Sequence, residues 1–192
     1  LLLLTYGLYH WHLEQLAISA QMEKRERVFR EHRLFDKLTP LGGADYLRRQ
    51  LDLGLTQSHS EQQPLSLVVI DLDDFDSINQ RYGNAEGDLV LQAVTQLLLL
   101  NLRHQDLLCR LAGDRFVALL PNTGETHARQ MARELADAIA CLAHKSRQHG
   151  ERIQLSASVA SVMALQESPE TLLLRLNLAL AKVKQPLALS AW

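Results

Sequence analysis

The chain has 192 residues, of which 47% are hydrophobic and 22% charged. This is the composition of a globular chain with room for one domain of ordinary size and an extra element. A formal net charge of -2 excludes the basic excess of a general nucleic-acid binder, and aromatics at 5% leave little for a base-stacking surface.

The chain begins at Leu1 rather than methionine and reads as a piece cut from something longer. Its apolar opening, Leu1 to Leu4 with Tyr6, Leu8 and Trp11, is shorter than the about 20 residues that cross a bilayer. Two readings stand. One is the cytoplasmic end of a membrane-spanning helix of an inner-membrane protein, tethered through the segment before residue 12, with Tyr6, Tyr9 and Trp11 at the interface. The other is a buried helix start. From Tyr9 to Phe35 no Gly or Pro interrupts the pattern, the apolar residues form a broken heptad, and Glu23 to Arg33 is densely charged. Residues 1–35 therefore read as a solvated signalling helix suited to pairing with a copy of itself in a coiled coil. Pro40, Gly42 and Gly43 end it and open a globular domain over 36–188.

In that domain the pattern predicts a helix over Asp45 to Leu53, then a polar loop over Thr56 to Pro64. Leu65 to Ile70 is a continuous apolar run rich in branched residues, which suits a strand buried on both faces. Helices follow over Phe75 to Arg81 and Ala85 to His104. Asp106 to Leu111 and Arg115 to Leu120 form a hairpin around Ala112 to Asp114. A long helix runs to about Arg147, Ile153 to Met163 alternates like a strand, and Pro169 to Lys184 is the last helix. The class is α/β, an antiparallel or mixed sheet wrapped by helices.

The chemistry concentrates in Asp71 to Leu91, DLDDFDSINQRYGNAEGDLVL. Carboxylates at the end of a buried strand, just ahead of a helix N-terminus, can hold a hard cation beside a phosphate. The bland alternative is that Asp73 or Asp74 merely caps the helix. The two cysteines, Cys109 and Cys141, have neither metal-ligand spacing nor a pairing framework, which fits a reducing cytoplasm. The histidines are scattered without metal-ligand spacing.

The same segment resembles the DxDxFKxINDxxGHxxGDxxL signature of the GGDEF family of diguanylate cyclases, at Asp71, Asp73, Phe75, Ile78, Asn79, Gly83, Gly87, Asp88 and Leu91. Upstream, Asp36, Leu38, Thr39 and Leu41 match its DxLTxL. Downstream, Arg110 to Phe116 stands at its RxGG(D/E)EF, Ser156 to Ala160 resembles its SIGVA strand, and Lys184 falls on the lysine of its AK motif. The resemblance implies a nucleotide-cyclase fold in which a homodimer joins two GTP into cyclic di-GMP. Mg²⁺ is then held by Asp71, the Leu72 carbonyl and Asp114, with Asn79 and Asp88 on the guanine edge. Phe75, Asp76, Gly113 and Lys184 complete the implied nucleotide site, and Asp114 and Arg115 occupy the catalytic hairpin positions.

Several positions depart from that pattern. The hairpin reads AGDRF: Ala112 replaces a glycine, which restricts backbone approach to the nucleotide, and Arg115 replaces an acid. Asp76 replaces a phosphate-side lysine, and at about 4 Å a screened like-charge contact costs about 1–4 kcal/mol. The opposite signs of Asp76 and Arg115 predict that they pair and close the vacated phosphate site. Pro186 to Leu189 stand where the family has GRN, and Gly43 to Asp45 where it has NRR. Arg103-His-Gln-Asp106 matches the family's RxxD inhibitory site for cyclic di-GMP, with Arg110 nearby to assist; by itself RxxD more often marks a solvated ion pair. The sequence reading is a degenerate GGDEF signalling domain that binds cyclic di-GMP or GTP with little synthesis. An active cyclase and a structural dimerisation or docking module remain the alternatives.

Overall fold

The computed structural model describes residues 34–147 and 149–185. The predicted N-terminal helix, tether and coiled coil, and the stretch from Pro186, lie outside those residues. Among the described residues no helix is long and apolar enough to cross a membrane.

The elements in chain order are α1 (Ala44–Glu61), β1 (Leu65–Leu72), α2 (Phe75–Tyr82), α3 (Asn84–Asn101), β2 (Leu107–Ala112), β3 (Arg115–Pro121), α4 (Glu125–Cys141), β4 (His144–Lys145), β5 (Arg152–Ile153), β6 (Ala157–Met163) and α5 (Pro169–Lys184). The main sheet has the order β2-β3-β1-β6, and every pairing in it is antiparallel. The only parallel contact among the described residues is a single bridge from Gly42 to Cys109.

All eight residues of β1 are buried, because helices cover both faces of the sheet. Successive side chains point to opposite faces. Leu65, Leu67 and Val69 join Leu47 and Leu51 of α1 and Leu172, Leu176 and Leu180 of α5 in one cluster. Val68, Ile70 and Leu72 join Val90, Val94 and Leu98 of α3 and Leu135 and Ile139 of α4 in the other. The result is three layers, helices on both sides of a sheet, as expected of this class. Cys109 lies in the first cluster, where burial pushes its thiol up to about 12; Cys141 is exposed.

Three predicted elements are corrected. The alternating run from Ile153 to Met163 is not one strand: Ile153 closes β5, which pairs with β4, and the sheet strand β6 begins at Ala157. The polar stretch from Thr56 continues α1 to Glu61 instead of forming a loop. Its side chains bond one turn along the helix, Thr56 Oγ1 back to the Asp52 carbonyl at 2.9 Å and Gln57 Nε2 forward to Glu61 Oε1 at 3.0 Å. The helix predicted to reach Arg147 stops at Cys141, and a β4–β5 hairpin follows. Buried Glu86, from the first turn of α3, draws that hairpin in. It pairs with His144 Nε2 at 2.9 Å and accepts from Ser146 Oγ at 3.4 Å and the Arg147 N–H at 3.1 Å. The hydrogen bond from His144 is the main cause holding the Glu86 carboxyl below its ordinary value, with the Arg147 N–H adding to it against the opposing effect of burial.

Candidate functional site

The end of β1, the β2–β3 turn, the start of α2 and the end of α5 converge on Asp71. Register places Asp71 directly across from Arg115 on β3 and across from Ser158 on β6. Asp71 is buried, yet both of its carboxylate oxygens are engaged. Oδ2 accepts from Arg115 Nε and contacts Arg115 Nη2, each at 2.6 Å. Oδ1 accepts from Lys184 Nζ at the last residue of α5. Two cations holding one buried carboxylate make charge-assisted hydrogen bonds in a shielded setting. The expected Asp76–Arg115 pair does not form: the register hands Arg115 to Asp71, and Asp76 stays exposed in the first turn of α2.

The hairpin turn abuts this centre. Gly113 has φ +55, the left-handed region that glycine enters without strain, whereas Ala112 ends β2 at a bulge and keeps φ negative. The alanine that replaces the family glycine is therefore tolerated by the backbone. The Asp114 carbonyl accepts the Leu72 N–H at 3.2 Å, which fixes the turn to the end of β1. The Asp114 carboxyl is pushed above its ordinary value, first by burial and then by the charges of Asp71 and Asp76. Its own backbone N–H and Lys184 work in the opposite direction.

The Asp pair ahead of α2 does not act as a side-chain cap. Asp74 takes the N-cap position with φ 52 and makes no capping hydrogen bond through its side chain. A non-glycine residue in the left-handed region costs of order 1 kcal/mol or more and tends to sit at functional sites. Asp73 instead fastens the end of β1 to the start of β6, accepting from Ser156 Oγ at 3.0 Å and Ser158 Oγ at 2.7 Å. The SASVA strand supplies both serines, a role that the spacing alone did not reveal.

Asn79 and Asp88 sit on neighbouring helices that meet at Gly87. A Cβ on Gly87 would lie 1.9 Å from Asn79 Oδ1 and 3.2 Å from Phe75 Cζ. The close approach of α2 to α3 therefore depends on that glycine, and it seats Phe75 and Asn79 against the N-terminal turns of α3. Asp88 follows directly on the exposed side.

Arg103 and Asp106 face each other at the α3–β2 junction. Arg103 Nε and Nη2 bond the two Asp106 oxygens at 3.2 and 3.1 Å, the Arg103 N–H reaches Oδ2 at 2.8 Å, and Nη2 also meets Thr123 Oγ1 at 2.5 Å. The Asp106 side chain is fully buried while Arg103 is 46% exposed, so the guanidinium keeps an open face. It borders a cavity of about 390 Å³ lined also by Asn122, Thr123, His127 and Gln130. Arg110 is engaged elsewhere: Nε donates to the Gly113 carbonyl at 2.8 Å and Nη1 to Asp36 at 2.9 Å. Asp36 also accepts from the Thr39 N–H and hydroxyl, each at 2.7 Å. Burial would raise the Asp36 carboxyl, but the Thr39 and Arg110 contacts outweigh it and hold the group below its ordinary value. Sequence reasoning missed this contact between the DxLT and RxxGD segments.

The residues present do not fit the divalent cation that the resemblance implies. Asp71 is the carboxylate that the resemblance puts on the cation, and both of its oxygens are taken by cationic side chains.

Residues 33–187 match the family described as diguanylate cyclase, GGDEF domain. The chain is 33% identical over 150 residues to the uncharacterized protein y4lL of Sinorhizobium fredii, covering 78% of this chain and 18% of that protein. It is 32% identical over 174 residues to the diguanylate cyclase DgcP of Pseudomonas aeruginosa, covering 85% of this chain and 25% of that one. The chain thus spans a quarter or less of the length of either relative. The GGDEF domain of DgcB from Caulobacter crescentus, solved in complex with c-di-GMP, has the same fold at a TM-score of 0.75, with 21% identity over 79% of this chain and 90% of that chain. The diguanylate cyclase SiaD of Pseudomonas aeruginosa, solved with its activator SiaC, matches at a TM-score of 0.73, with 27% identity over 95% of this chain and 73% of that one. Motifs, fold and family match coincide over the same stretch, and the chain belongs to the GGDEF domain family of diguanylate cyclases.

Proposed function

We propose that this GGDEF domain works in cyclic di-GMP signalling as a nucleotide-binding module with little or no synthesis of its own. The observation that carries the reading is the double capture of Asp71 by Arg115 and Lys184. The family generally uses divalent metal ions, and here the carboxylate that would hold one is already neutralised. Phosphodiester formation depends on cations that meet the charge developing on the oxygens around the transferring phosphorus, and here Arg115 and Lys184 are already committed to Asp71. The guanine side is better kept: Asn79 is seated by Gly87 and Phe75, with Asp88 beside it, an amide and a carboxylate able to read a purine edge. Arg103, with its open face over the α4 cavity, is the cyclic di-GMP contact, since a guanidinium grips phosphate or a guanine edge in bidentate fashion. The domain boundaries at 36 and 188, the homodimer and the tether before residue 12 belong to the same proposal.

The test is incubation with GTP and MgCl₂, followed by chromatography for cyclic di-GMP, together with calorimetric titration of cyclic di-GMP into the protein and its Arg103→Ala variant. Absent or trace product, micromolar binding, and loss of that binding by about tenfold or more in the variant are the expected results. Brisk product formation abolished by Asp71→Ala would establish an active cyclase instead.

A further inference from the structure

We infer that Arg115 is a built-in replacement for the divalent cation at Asp71, so that the pocket accepts guanine nucleotide as the free anion rather than as its metal complex; this rests on the nucleotide-binding reading above. The register of β1 against β3 places the Arg115 side chain on Asp71, with Nε and Nη2 both at 2.6 Å from Oδ2. Lys184 reaches the other oxygen from α5. Asp71 is 4% exposed, but the Arg115 and Lys184 side chains are each 39% exposed. Arg115 thus commits Nε and Nη2 to the carboxylate and Lys184 its single nitrogen, while part of each side chain stays open to solvent. Guanidinium has five N–H donors and ammonium three, so an Nη1 group and the remaining Lys184 hydrogens stay available to phosphate oxygens. A planar guanidinium matches phosphate geometry and carries its charge at every accessible pH. The cation is thus covalently attached, and its occupancy does not depend on metal concentration. A free Mg²⁺ would have to displace two charge-assisted bonds to reach Asp71, and it gives up its own water shell reluctantly.

The outward donors suit an anionic phosphate chain placed between the β2–β3 turn and the N-terminus of α2, whose first N–H groups have no partner within the helix. Asp76, exposed in the first turn of α2, and Asp114 in the β2–β3 turn are near enough to feel each other's charge.

Binding of a fluorescent GTP analogue, N-methylanthraniloyl-GTP, in excess EDTA and in excess MgCl₂ tests this directly on the unmodified protein. The two affinities should agree within about threefold, and Mn²⁺ alone should show no bound fraction by electron paramagnetic resonance. Arg115→Glu should weaken binding in EDTA by about tenfold or more, recover it on addition of Mg²⁺, and acquire a bound Mn²⁺ signal. Arg115→Gln, which adds no acid, should lose affinity in EDTA without gaining Mn²⁺, and it stands in should the glutamate variant fail to fold. Binding by the unmodified protein only when Mg²⁺ is present, or a tight Mn²⁺ site in it, overturns the inference and leaves the nucleotide-binding reading intact. No binding in either buffer overturns the inference and the GTP part of the reading, while the cyclic di-GMP part stands or falls on its own titration against Arg103→Ala.

Discussion

Arg110 and Asp36 lie 74 residues apart and meet at 2.9 Å with side chains 10% and 22% exposed. The same carboxylate oxygen gathers Leu38, Thr39 and Arg110, so one acid ties the start of the domain to the hairpin strand. Removing it with Asp36→Ala leaves a shielded guanidinium short of a partner and is expected to cost about 2 kcal/mol in urea denaturation. Its pH dependence has a definite sign. The folded Asp36 value lies below the ordinary 3.8, so its contribution is complete above that value and fades as pH falls through the folded one. Asp114 runs the other way. Its folded value lies above the ordinary 3.8, so the folded chain binds that proton more readily and loses stability as pH rises through the interval between the two. Asp114→Asn should therefore be more stable than the parent at neutral pH, and the difference should shrink as the medium is acidified towards about pH 3. A parent that matches the variant at every pH contradicts this. At this scale the sequence showed which residues carry charge but not whom they face. Asp71 and Arg115 are 44 positions apart and meet only through strand register, which a one-residue slip would reverse. Opposite sign alone points Arg115 at Asp76, and strand register gives it to Asp71.

α2 and α3 show how far an element can be read from its string. Both were legible as helices, and the G-x-x-x-G stretch from Gly83 to Gly87 marks their junction, but the reason for Gly87 is tertiary: the space beside its Cα is filled by Asn79 and Phe75. Gly87→Ala should leave the helices formed, since alanine is the better helix former, while pushing Asn79 aside. Guanine-nucleotide affinity should fall by about tenfold or more, at nearly unchanged ellipticity. Equal affinity in titrations of parent and variant would detach Asn79 from the purine. The start of α5 is legible because Ser168 caps it, accepting the Thr171 N–H, and Pro169 opens it, both local signals. The β4–β5 hairpin was missed for the opposite reason. Its strands are two residues each, too short to show alternation, and its anchor is the distant acid Glu86. The continuous apolar run of β1 announced coverage on both faces, and it did so within an antiparallel sheet. Such a run reports burial and not strand direction.

For the whole molecule, the sheet divides the apolar interior into two clusters that share no residue. Leu98 is fully buried in one and Leu172 in the other. Each truncation to alanine should destabilise by about 2–5 kcal/mol. Because the two sites lie on opposite sides of β1, the double variant should lose the sum within about 0.5 kcal/mol. Chemical denaturation of the four proteins checks both statements, and a large coupling term would mean that the two faces communicate through the strand. Cys109 lies inside the Leu172 cluster, its thiol far from ionising at neutral pH, while Cys141 is open to solvent at the end of α4. An alkylating reagent therefore finds one sulfur at once and the other only when the sheet comes apart. The chain carries its own unfolding clock, readable by mass as the arrival of a second adduct.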